Sequence, residues 1–238
     1  MTDNPIIVAL DLPGDQALAL AESLRGRVRW LKVGMMLFYA EGPAIVSRLS
    51  ELGFDVFVDL KLYDIPHQVA GAAAELAGAG AGMITVHASG GSAMMISAVE
   101  AARRAAQAAG RNAPAILAVT VLTSTDDAGL REIGVDRGAV DQVALLAGVA
   151  QAARVDGVVC SPHEAARMRA LLGPDALVVT PGVRPAGSEI GDQARVSDPA
   201  SALAAGASHL VIGRPITAAE RPLEALDQIL AQLGGAPS

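Results

Sequence analysis

A single cysteine, Cys160, stands in a chain of 238 residues. One thiol cannot close an internal disulfide, which suits a protein that works in a reducing cytoplasm. Basic residues are outnumbered, 18 Lys and Arg against 25 Asp and Glu, giving a net charge of −7. That deficit argues against nucleic acid or an anionic membrane surface as partner, because either selects a basic face. Mean hydropathy is +0.40, yet charged or turn residues interrupt every apolar run well before a membrane-spanning length. The N-terminal MTDNPIIVALDLPGD has an acid at position 3 and no basic n-region, so no signal peptide is expected. No metal-ligand cluster with convincing spacing occurs, and no GxGxxG follows a strand-like run. Apolar residues make up 52% and charged residues 18%, which excludes intrinsic disorder. The expectation is a cytoplasmic globular protein that holds no metal.

What the chain does have is alternation. Short β-rich apolar runs begin near residues 6, 30, 55, 82, 115, 157, 177 and 209, as IIVAL, WLKV, DVFVDL, GMITVH, AILAVTV, GVVC, LVVT and HLVI. An amphipathic or Ala-rich stretch of helical character follows each, and Gly or Pro punctuates almost every junction. Eight such units in 238 residues, about 30 residues each, point to a (β/α)8 barrel. No linker marks a second domain, so residues 1–238 read as one unit. A doubly wound open sheet shares the same alternation.

In a parallel α/β barrel the reacting groups lie where strands end and loops begin. Here those exits carry Asp11, Lys32, Gly34, Asp59, Lys61, Asp64, His87, Ser89, Thr123, Ser161, Thr180, Gly213 and Arg214. The stretch Asp59-Leu60-Lys61-Leu62-Tyr63-Asp64 is the most informative. By strand alternation Asp59 and Lys61 share a side, facing the barrel mouth. Lys32 closes the adjacent strand and can reach the same space. An isolated ion pair would read as structural. Two lysines and two aspartates on neighbouring exits instead suggest a site in which carboxylates keep the lysines charged.

The second constellation is VTPGVRP (179–185) with VIGRP (211–215). Exits of strands seven and eight commonly form a phosphate site in such barrels. Gly182 and Gly213 allow close backbone approach, and Arg214 supplies a planar donor fork. Between them SEIGDQARV is a polar segment suited to closing over a ligand. Other residues read more plainly. Asp11 suits a helix cap, His87 a supporting histidine, Cys160 a buried hydrophobe, and Met94 and Met95 helix packing.

Together ALD (9–11), LKVG (31–34), DLKLYDIP (59–66), TVHASGG (85–91), AVTVLTS (118–124), VVCSPHE (158–164), VTPGVRP and VIGRP resemble the orotidine 5′-phosphate decarboxylase family, bacterial short form. The likeness spans essentially the whole chain, in the family's motif order. It implies a homodimeric, single-domain (β/α)8 TIM barrel with shared active sites. The implied reaction converts orotidine 5′-monophosphate to UMP and CO2, the last step of UMP biosynthesis, with no cofactor. By motif, Lys61 is similar to the proton donor to C6 of the pyrimidine. Lys32, Asp59 and Asp64 resemble the rest of a charged tetrad, Asp64 reaching in from the other subunit. Asp11 and Lys32 would hold ribose hydroxyls, and Thr123 would lie at the pyrimidine. Arg184, Gln193, Gly213 and Arg214 would hold the phosphate and closing loop, while Ile65 and Gln68 complete the implied substrate-binding set.

Three positions depart from the family's usual DLKxHDIPNT: Tyr63, His67 and Gln68. Tyr63 is expected to point away from the tetrad, and Gln68 replaces a threonine that contacts ligand across the dimer. Two other readings remain open at this point. Mg²⁺-dependent sugar-phosphate decarboxylases share the barrel and DxKxxD but carry an acid on the second strand, where this chain has Lys32. A non-catalytic sensor of a phosphate ligand would use the same barrel and have no need of Lys61.

Overall fold

A computed structural model describes residues 4–184 and 198–234. Its strands are β1 (Ile6–Ala9), β2 (Trp30–Gly34), β3 (Asp55–Leu62), β4 (Ala81–His87), β5 (Ala115–Val119), β6 (Gly157–Val159), β7 (Leu177–Pro181) and β8 (His209–Ile212). All pair in parallel with their chain neighbours, and β8 returns to β1, so the sheet is a closed barrel rather than an open one. The helices are α1 (Gly14–Leu24), α2 (Met35–Glu41), α3 (Ala44–Glu51), α4 (Pro66–Gly78), α5 (Gly91–Ala108), α6 (Asp127–Glu132), α7 (Ala139–Ala152), α8 (Ala165–Leu172), α9 (Pro199–Ala204), α10 (Arg214–Thr217) and α11 (Pro222–Gln232).

Strand alternation divides the apolar residues into two cores. Ile6, Val8, Leu31, Val33, Val56, Val58, Ile84 and Val86 face outward, packing with helix residues such as Leu20, Leu24, Leu49, Leu76 and Met95. Ile7, Ala9, Trp30, Phe57, Met83, Leu117, Val119, Val159, Val179 and Val211 fill the barrel itself. Each fully buried large apolar side chain of this kind contributes roughly 1.5–3 kcal/mol. Trp30 plugs the lower end, edge-on to His209 at 6.0 Å. The next inward positions above this apolar plug are the polar strand exits, so the interior core is also the floor of the site.

The structure is more finely divided than one helix per strand. Met35–Glu41 forms a separate helix, stopped by Gly42 at φ +67 and followed by Pro43 at the start of α3. A residue with positive φ and a proline without an N–H end one helix and begin the next. The fifth and eighth units also carry two helices each, α6 with α7 and α10 with α11.

Candidate active site

A cavity of about 510 Å³ opens at the C-terminal ends of the strands. Its walls include Asp11, Lys32, Asp59, Lys61, Thr123, Cys160, Gly182, Arg184, Gly213 and Arg214. Four cations (Lys32, Lys61, Arg184, Arg214) face two carboxylates (Asp11, Asp59) there. The cavity is thus net positive inside a chain whose charge is −7, a field that selects a small anion.

The acidic and basic groups alternate along one wall. Lys32 Nζ donates to Asp11 Oδ1 at 3.0 Å and lies 3.9 Å from Asp59 Oδ2. Lys61 Nζ donates to the other Asp59 oxygen, Oδ1, at 2.9 Å. The order is therefore Asp11, Lys32, Asp59, Lys61, with Lys32 buried and Asp59 nearly so. Burial without partners would drive a lysine toward its neutral form, and adjacent carboxylates oppose this. Asp11 belongs to this chain of charges instead of capping α1, whose N-cap position is Pro13. Gly34 lies directly beneath the first pair. A Cβ there would stand 2.8 Å from both Asp11 Oδ1 and Lys32 Nζ, so any other residue would make these side-chain ends shift.

Lys61 does not reach the cavity by simple alternation. Its φ is +53, in the left-handed region that costs a non-glycine residue roughly 1–3 kcal/mol. Arg154, with φ 57, is the other such residue among those described, and it follows α7, where left-handed helix termination is ordinary. Lys61 instead sits in a bulge. Val58 pairs with Ile84 and Leu62 with Val86, so the β3 side of the ladder holds more residues than the β4 side. Bulges re-aim side chains near active sites. The Lys61 N–H donates to the hydroxyl of Thr85, at 2.8 Å.

The other end of the cavity is the 7–8 exit. Gly182 has φ +83, a conformation that favours glycine, and Arg184 follows two residues later. Gly213 and Arg214 leave β8 beside them. Thr123, beyond β5, completes the wall between the two ends. Cys160 is buried at the cavity wall, as a small apolar residue would be. Met94 and Met95 are buried in α5.

Gly34, His87, Ser89, Ser161 and Thr180 do not line this cavity, and neither do three residues of the implied substrate-binding set. Asp64, Ile65 and Gln68 are exposed beyond the β3 exit, and Gln68 lines a separate surface groove with His67, Gly71, Ala74 and Arg104. Asp64 Oδ1 accepts from the N–H of Ile65 at 2.6 Å. Gln193 and the SEIGDQARV segment lie outside the described residues. Among the described residues no group of three or more His, Cys, Asp or Glu side chains is arranged to hold a metal ion. Thr85, at the centre of the site's hydrogen bonding, was not singled out from sequence. Its inward position follows from Met83 by alternation, but a threonine in a strand carries no further signal.

The profile of the orotidine 5′-phosphate decarboxylase / HUMPS family matches residues 4–229. The chain belongs to that family. It is 51% identical to an orotidine 5′-phosphate decarboxylase of Paramagnetospirillum magneticum over 232 residues, 97% of this chain and 99% of the relative. Identity with the enzyme of that name from Moorella thermoacetica is 52% over 235 residues, 97% of this chain and 92% of the relative. The crystal structure of orotidine 5′-phosphate decarboxylase from Lactobacillus acidophilus superposes with a TM-score of 0.85 at 39% identity, covering 98% of this chain and all of that one.

Proposed function

We propose that this protein decarboxylates orotidine 5′-monophosphate to UMP and CO2, the last step of UMP biosynthesis, with Lys61 delivering the proton that replaces CO2. The observation that carries the proposal is the Lys61 ammonium, held 2.9 Å from Asp59 in a net-positive cavity whose far end presents Arg184 and Arg214. Breaking the C6–CO2 bond leaves the electron pair on C6, in an orbital the ring cannot delocalise well. A fixed ammonium aimed at that carbon stabilises the charge as it develops. The pair then takes a proton from Lys61, giving UMP and a neutral amine that water reprotonates.

The remaining residues divide by chemistry. Asp59 holds Lys61 in place and faces the departing carboxylate, with Lys32 balancing its second oxygen. Asp11 and Lys32 suit ribose hydroxyls, and Thr123 the pyrimidine edge. Arg214, Arg184 and Gly213 suit the phosphate, a group remote from the reacting carbon whose binding energy orders the site; the resemblance adds Gln193. We place Asp64 in the partner's active site in a cytoplasmic homodimer, since it leaves β3 exposed and away from its own cavity. Ile65, beside it, and Gln68, in the exposed first turn of α4, belong with it.

No cofactor enters this scheme. A divalent cation at the β2 exit would meet Lys32, and like charges repel. The test follows loss of orotidine 5′-monophosphate absorbance with protein dialysed exhaustively against EDTA. Sustained turnover supports the proposal, and a strict Mg²⁺ requirement would contradict it.

A further inference from the structure

We infer that Thr85 is a positioning residue for the reaction, closing a ring of hydrogen bonds that ties the backbone of Lys61 to its own ammonium. The inference rests on the role proposed for Lys61. Thr85 is fully buried on β4, between Ile84 and Val86, the two residues that bracket the β3 bulge. Its hydroxyl accepts from the Lys61 N–H at 2.8 Å and lies 3.0 Å from Asp59 Oδ1. A threonine hydroxyl has one proton and two acceptor lone pairs. A carboxylate can only accept, so the proton points to Asp59. Asp59 Oδ1 in turn accepts from Lys61 Nζ at 2.9 Å. The path therefore runs from Lys61 N through Thr85 and Asp59 and back to Lys61 Nζ.

This ring resolves two difficulties of the bulge. The Lys61 N–H lies where the β3–β4 register breaks, between Val58 and Leu62, and an unpaired buried donor is costly. Lys61 also holds a left-handed backbone that a non-glycine residue keeps only when its surroundings impose it. One side chain meets both needs and fixes the carboxylate that aims the ammonium. A general acid that must meet a developing carbanion depends on placement to a fraction of an ångström. Deleting the hydroxyl should therefore slow the chemical step while leaving phosphate and ribose contacts in place.

The test compares Thr85→Val, Thr85→Ala and Thr85→Ser with Lys61→Ala, measuring kcat, KM and UMP affinity. Valine keeps the shape of threonine without the hydroxyl, alanine removes hydroxyl and methyl, and serine keeps the hydroxyl. The expected result is a loss of kcat of about tenfold or more in Val and Ala. UMP affinity should stay within about threefold, and Ser should recover most of the rate. If Val fails to fold, the Ala and Ser pair carries the same comparison. Full turnover in Ala or Val beside an inactive Lys61→Ala would overturn the role of Thr85 alone. Loss of UMP binding as large as the loss of kcat, or Ser as impaired as Ala, would also overturn it. An active Lys61→Ala would overturn the role of Lys61 and leave Thr85 nothing to position.

Discussion

Tyr63 lies stacked on His87, ring centroids 5.5 Å apart and planes inclined by 26°. Tyr63 is one of the three residues that depart from the family's usual motif, and it remains largely exposed. Its ring covers a half-buried imidazole whose Nδ1 accepts from the Ser89 N–H at 3.4 Å. Burial, and secondarily the charge of Lys61, holds the His87 pKa below histidine's ordinary 6.5. The residue at the motif's odd position thus packs on a neutral histidine beside the β3 exit.

That relationship sets a pH dependence. The unfolded chain takes up a proton at His87 near 6.5, whereas the folded protein resists it to lower pH. Between those two values the unfolded state binds more protons, so stability rises with pH. The contribution is fully present above the unfolded value and is lost as pH falls through the folded one. Urea midpoints at several pH values below 7.5 should fall on acidification less steeply in His87→Phe, which keeps the ring stack, than in wild type. Equal slopes would show that His87 does not contribute.

At the phosphate end, Arg214→Ala should weaken kcat/KM for orotidine 5′-monophosphate and barely change it for orotidine, which lacks the phosphate. The loss expected for a hydrogen bond to a charged group is about 1.5–3 kcal/mol, roughly 10- to 150-fold. Steady-state kinetics on both substrates check this. Equal losses would remove Arg214 from the phosphate site.

Much of this arrangement could be read from residues alone, and the exceptions are instructive. The eight strand starts follow the apolar runs closely, because every strand of a closed barrel must bury both faces. Asp11, Lys32, Asp59 and Lys61 share a cavity because they occupy neighbouring strand exits. For Asp59, alternation from Phe57 suffices. Lys61 was expected in the mouth by the same rule but arrives there through a bulge, which no periodic pattern encodes. Thr85, which faces that bulge from β4, reads in sequence as an ordinary strand residue. The helix Met35–Glu41 also escaped the sequence reading, since only Leu37 in it is buried and no apolar face marks it. Asp64 was expected at the mouth from its position at the β3 exit but lies exposed outside its own cavity, so its proposed role rests on the motif alone.

The placement of Asp64 can be tested by subunit mixing. In a two-fold dimer with shared sites, Lys61→Ala and Asp64→Ala homodimers should each be severely impaired. A mixed dimer puts both lesions in one site and none in the other. Random reassortment should therefore restore wild-type chemistry to about a quarter of all sites. If Asp64 serves its own chain, every site keeps one lesion and mixing restores nothing.

The most direct measurement is the turnover of Lys61→Ala set against its affinity for UMP. A group that acts on charge developing in the transition state should affect kcat far more than product binding. The expected result is a folded variant that binds UMP and has almost no decarboxylase activity. Turnover within about tenfold of wild type, only about 1.4 kcal/mol of barrier, would contradict the assignment of Lys61 as proton donor.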